Sequence, residues 1–174
     1  MLGDMRLEDL NALGEEAAAR TFLRCCGSSR WARQMAAARP FAGVEAMADT
    51  ADAIWSALDR ADWLEAFASH PRIGETRAHG VDRSGEPDWS RQEQARVAGA
   101  AQQGLGRLIE ANREYEARFE YIFIVCATGK SAAEILGLIE HRLSNDPAAE
   151  LGVAAGEQSQ ITRLRLAKLV EGKG

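Results

Sequence analysis

Residues 121–129, YIFIVCATG, are the one stretch of this chain that reads as a strand, and no second stretch is available to pair with it. The run is short, continuously apolar, rich in β-branched and aromatic residues, and closed by a glycine. Periodicity does not separate a strand from a buried extended segment in such a run. A lone strand has no ladder to join, which favours a buried extended segment at about 121–127, lying between helices. Its peptide groups then need the partners a sheet would have supplied: side chains, water or a ligand.

The remainder reads as helix, so the expected fold class is all-α, with residues 1–174 forming one domain. Leu7, Leu10, Leu13, Ala17 and Phe22 recur at roughly helical spacing up to the CCGSS stretch. Ser29 can cap a short helix through RWARQMAAAR, closed by Pro40. VEAMADTADAIWSALDRADWLEAFAS supplies one or two more helices, and TRAHGVDRSGEPD reads as a surface loop. A long helix is expected from about Trp89 to about Phe119, weakened by Gly99, Gly104 and Gly106. Ser131 opens another, and Pro147 suits the first turn of the last.

Composition narrows the function classes. A formal net charge of −5 argues against a nucleic-acid surface. No stretch is apolar for long enough to span a membrane. MLGDMRLEDLNALGEE lacks a basic region followed by an apolar one, so no signal peptide is expected. Three cysteines, with Cys25 and Cys26 adjacent, do not make a secreted disulfide framework, and a reducing, cytoplasmic location is expected.

Four places could carry chemistry. In SHPRIGE, His70 stands directly before Pro71, which disfavours helix and holds the imidazole at a helix exit. Taken alone, that pattern is a helix stop. In WSRQEQ, Ser90 and Glu93 have the form of a capping box, a structural role. The same helix start would offer free amides to an anionic or urea oxygen, with Glu93 and Gln94 close by. Cys126 has no cation nearer than Lys130 and reads as a small buried apolar residue. Arg163 and Arg165 lie two apart near a helix end, so at most one is expected to face a pocket. Metal binding has no support: the three histidines form no i, i+4 pair and no CxxC is present. ATGKSAAE lacks the first glycine of a phosphate loop.

The combination is more specific than its parts. FASHPRIGE, WSRQEQ, YIFIVCATGKSAAEIL and RLSNDPAAELGVAAGEQSQITRLRLAKL, in that order, resemble the 2-oxo-4-hydroxy-4-carboxy-5-ureidoimidazoline (OHCU) decarboxylases of urate catabolism, and CCGSSRWARQMAAARPF does so upstream. The resemblance covers nearly the whole chain. It implies an all-α homodimer acting on a small ureidoimidazoline, with no metal or organic cofactor. It carries the catalytic histidine onto His70, with Pro71 shaping the pocket. Substrate contacts fall on Ser90, Glu93 and Gln94, and main-chain contacts on Phe123, Ile124, Val125, Cys126 and Ala127. The last-helix arginine falls on Arg165, with Arg163 as the alternative. His70, Glu93 and Arg165 would form the catalytic set. A non-catalytic helical binding module of the same fold is the competing reading; it could dispense with these three residues.

Overall fold

Short polar side chains set several helix starts. The Asp59 carboxylate accepts from the amides of Ala61 (2.9 Å) and Asp62 (3.2 Å), and the Ser28 hydroxyl accepts from the Trp31 amide at 3.3 Å. Ser131 and Glu134 form a reciprocal capping box. A computed structural model of the protein describes residues 5–73 and 104–170. Among the described residues there are eight helices and no strand. They are α1 (Leu7–Ala12), α2 (Glu15–Leu23), α3 (Ser29–Ala37), α4 (Val44–Ser56), α5 (Arg60–Ala68), α6 (Leu105–Phe119), α7 (Ala132–Arg142) and α8 (Pro147–Val170).

The chain is all-α, as expected. The details differ in two places. The apolar spacing from Leu7 to Phe22 runs across a break, because the helix stops at Ala12 and restarts after Gly14. The cap of α3 is Ser28 and not Ser29, whose hydroxyl instead donates to Glu65 at 2.5 Å. The helix expected from Trp89 is described only from Leu105, with Gly104 at its N-cap; residues 89–103 lie outside the described residues.

The described chain falls into two compact units, one of Met1–Ser69 with Gln158–Gly174 and one of His70–Glu157. In the first, α3 packs on α2, α4 and α5. Phe22 meets both Trp31 and Phe41 edge-on at 6.1 Å, and the Trp31 indole donates to the Ala51 carbonyl at 3.1 Å. The residues of α8 from Gln158 onward are held to α4 by Ser159, which donates to Asp52 at 2.5 Å, and by Arg163. In the second unit α6 packs on α7. Tyr115 gathers the rings of Phe119 (4.6 Å), Phe123 (5.2 Å) and Tyr121 (5.9 Å) around itself.

Candidate functional site

α5 runs from its Asp59 cap to Ala68, and Ser69 closes it in helical geometry. His70 therefore stands at the helix exit, half-buried, with Pro71 blocking another turn. Gly27 (φ +30°) lies so close to the end of α5 that a Cβ there would run into the Ser69 side chain. The chain just after His70 is tied to α6. The Arg72 guanidinium donates to both carboxylate oxygens of Glu116 (2.8 and 2.5 Å), and the Asn112 side chain donates to the Ile73 carbonyl at 3.0 Å. Arg72 holds the Glu116 carboxyl below the usual carboxylate range.

After α6 the chain turns through Glu120 in left-handed geometry (φ 65°) and enters residues 122–127, which are neither helix nor strand. Phe123, Ile124, Val125 and Cys126 are buried. Charged side chains serve the main chain here. Arg142 donates to the Ile124 carbonyl at 2.7 Å. The Cys126 amide donates to Glu157 at 2.7 Å, and Lys130 donates to the Cys126 carbonyl at 2.8 Å. Arg142 is itself buried, stacked over the Phe123 ring at 4.4 Å and paired with Glu150 at 2.6 Å. Glu150, wholly buried, also accepts from the Tyr115 hydroxyl and from Asn145 (2.8 Å). Burial and the hydrogen bond to Glu150 push the Tyr115 phenol well above its ordinary pKa.

The two arginines of α8 face different surroundings. Arg163 pairs with Asp52 (2.6 Å) and Asp49 (3.2 Å) of α4. Arg165 is buried at 7% exposure and donates to the Cys25 carbonyl at 3.5 Å. That places its guanidinium beside the Cys25–Cys26 turn, in the first unit. His70, Pro71 and Phe123–Ala127 belong to the second unit. Ser90, Glu93 and Gln94 lie outside the described residues.

Sequence reasoning missed Asn112, Glu116, Arg142, Glu150 and Glu157. Arg142 and Glu150 sit at helix termini where their signs suit the helix dipole, so nothing in the pattern marks them as a buried pair. Only Lys130 left a signal, as the cation nearest Cys126. Among the described residues no group of three or more His, Cys, Asp or Glu side chains could hold a metal ion, and no helix is long and apolar enough to cross a membrane.

The profile of the OHCU decarboxylases matches residues 11–167. The chain belongs to the OHCU decarboxylase family. Its relatives in that family include the uric acid degradation bifunctional protein TTL of Arabidopsis thaliana, 38% identical over 86% of this chain and 46% of TTL. The uric acid degradation bifunctional protein PucL of Bacillus subtilis is 28% identical over 97% of this chain and 33% of PucL. The chain thus spans half or less of these two curated relatives. A solved OHCU decarboxylase, crystallised in the presence of (S)-allantoin, superposes with a TM-score of 0.74 at 38% identity, covering 86% of this chain and 96% of that one. The helical architecture described above is therefore the OHCU decarboxylase fold.

Proposed function

We propose that this chain converts OHCU to (S)-allantoin and CO2 stereospecifically, using its own side chains and neither a metal nor an organic cofactor. One observation carries the reading: the 38% identity to a solved OHCU decarboxylase across 96% of that chain. The names of TTL and PucL add support for a place in urate breakdown. The family profile runs through both compact units, which supports treating 1–174 as one functional domain.

The substrate makes a cofactor unnecessary. Its carboxylate sits on a ring carbon that also bears a hydroxyl and adjoins a C=N bond. When the C–CO2 bond breaks, its electron pair forms a C=C bond to the neighbouring carbon, and the C=N π pair is displaced onto the ring nitrogen, which takes a proton. In other decarboxylases an added electron sink does this work. The enol so formed loses its hydroxyl proton and gains one on the adjacent carbon, from one face, giving (S)-allantoin.

The protein then has to orient the ring and stabilise developing charge. His70 takes the acid/base role at the hydroxyl, where an imidazole suits proton transfer near neutral pH. Its place at a helix exit, with the chain behind it tied down by Glu116 and Asn112, supports that role. Glu93 accepts ring or ureido N–H groups, and Arg165 neutralises anionic charge. Ser90, Gln94 and Pro71 line the substrate, and Phe123–Ala127 offer main-chain groups to it. A homodimer and a cytoplasmic location complete the proposal. The family resemblance supports the first, and three cysteines that form no disulfide framework, normal for a reducing compartment, support the second.

The test is direct. OHCU generated freshly from urate should lose its absorbance faster with the protein present and yield optically active allantoin. Prior chelator treatment should leave the rate unchanged. An unaccelerated decay giving racemic product overturns the decarboxylase, and loss of activity to chelator with recovery on adding a divalent ion overturns the metal-free mechanism.

A further inference from the structure

We infer that Glu157 and Lys130 are positioning residues that fix the direction of the two peptide planes flanking Cys126. The inference rests on the functional reading above, in which this segment presents main-chain groups to the substrate. A non-helical run without a sheet has nothing in its own backbone to decide which way each peptide plane faces. Here the decision comes from charge. The Cys126 N–H donates to the Glu157 carboxylate at 2.7 Å, and its C=O accepts from the Lys130 ammonium at 2.8 Å. Turning the 125–126 plane over would bring the Val125 carbonyl against a carboxylate, acceptor against acceptor. Turning the 126–127 plane would bring the Ala127 N–H against an ammonium, donor against donor.

A neutral side chain would not discriminate in this way. Glutamine can accept from an N–H or donate to a C=O, so it satisfies either orientation; a carboxylate only accepts and an ammonium only donates. A negative charge on the N–H of one residue and a positive charge on its C=O therefore select one of the peptide arrangements. Arg142 secures the preceding carbonyl, that of Ile124, at 2.7 Å, so the locked stretch continues from Ile124 to Cys126. Neither Glu157 nor Lys130 has been placed on the substrate; both act through the backbone they hold.

The decisive variant is Glu157→Gln, which keeps an acceptor and the side-chain shape and removes the discrimination together with the charge that strengthens the bond. Charge-assisted hydrogen bonds are roughly twice as strong as neutral ones, so KM for OHCU is expected to rise roughly three- to tenfold with kcat within about twofold of wild type. The Kd for (S)-allantoin, measured by calorimetry, should rise in parallel, while the melting temperature stays put. Lys130→Gln should behave alike, and Lys130→Arg, still a pure donor, should restore wild-type KM. An active wild type whose Glu157→Gln and Lys130→Gln variants keep normal KM and allantoin Kd overturns this inference alone. A wild type that does not turn over OHCU overturns the functional reading and this inference with it.

Discussion

His70 illustrates how much a single residue's setting is written in its neighbours. Pro71 forbids another helical turn, and a helix that ends at Ala68 leaves the imidazole at the exit, as the sequence alone implies. What the sequence does not announce is the pair of α6 side chains behind it. Glu116 and Asn112 look like ordinary members of a polar helix face until the fold brings Arg72 and Ile73 to them. Arg163 and Arg165 repeat the lesson in reverse. Their two-residue spacing already required different surroundings, and one is ion-paired to α4 while the other is buried. If His70 is the acid/base group, His70→Asn keeps the hydrogen-bonding size of the ring edge and removes the titratable nitrogen. The expected loss in kcat is about two to four orders of magnitude, with an unchanged melting temperature. A correctly folded variant that turns over OHCU at the wild-type rate removes His70 from the mechanism.

Helices were legible where a capping signal stood at a sharp boundary. Ser131 marked the start of α7, and Pro147 that of α8. The errors arose where a signal was doubled or absent. With two serines adjacent, the pattern pointed to Ser29 as the cap of α3 where Ser28 fills it, and the apolar spacing continued through Gly14 although the helix did not. The buried run after α6 was legible as something other than helix, and its need for partners, whether side chains, water or a ligand, followed from the missing sheet. The identity of those partners was not legible. Arg142 and Glu150 are eight residues apart on different helices, and only packing makes them the buried core of the arrangement. Their energetics are asymmetric. Removing one member of a buried, hydrogen-bonded pair strands the other charge without its partner and typically costs about 3–5 kcal/mol. Glu150→Ala is therefore expected to lower the free energy of unfolding by about that amount, and Arg142→Met/Glu150→Leu to recover part of it. Denaturant titration would read both, and a loss below about 1 kcal/mol for the single variant would show that the pair is not structurally important.

At the scale of the whole molecule, folding stability should carry the signature of two thiols sealed in the core. Cys25 and Cys26 are 0% and 1% exposed, and burial pushes both thiols up to about 12, against the opposing pull of Arg165 on Cys25 and of a Thr162 hydrogen bond on Cys26. An unfolded thiol ionises near pH 8.5. Between that value and about 12 the folded chain holds protons that the unfolded chain has released. Stability contributed by these thiols is thus fully present below about pH 8.5 and declines as pH rises towards the folded value. Other alkaline titrations, of lysines and tyrosines, act on the same curve, so the readout must be a comparison. The melting temperature of wild type should fall more steeply between about pH 8.5 and 10.5 than that of Cys25→Ala/Cys26→Ala, even if the variant starts lower because of the cavities it creates. In the native protein at about pH 8 both thiols should also resist an aromatic disulfide reagent that titrates them once guanidinium is added. Parallel melting curves across the alkaline range would mean that the two cysteines ionise as readily folded as unfolded, and that the turn carrying Arg165's contact is open to water.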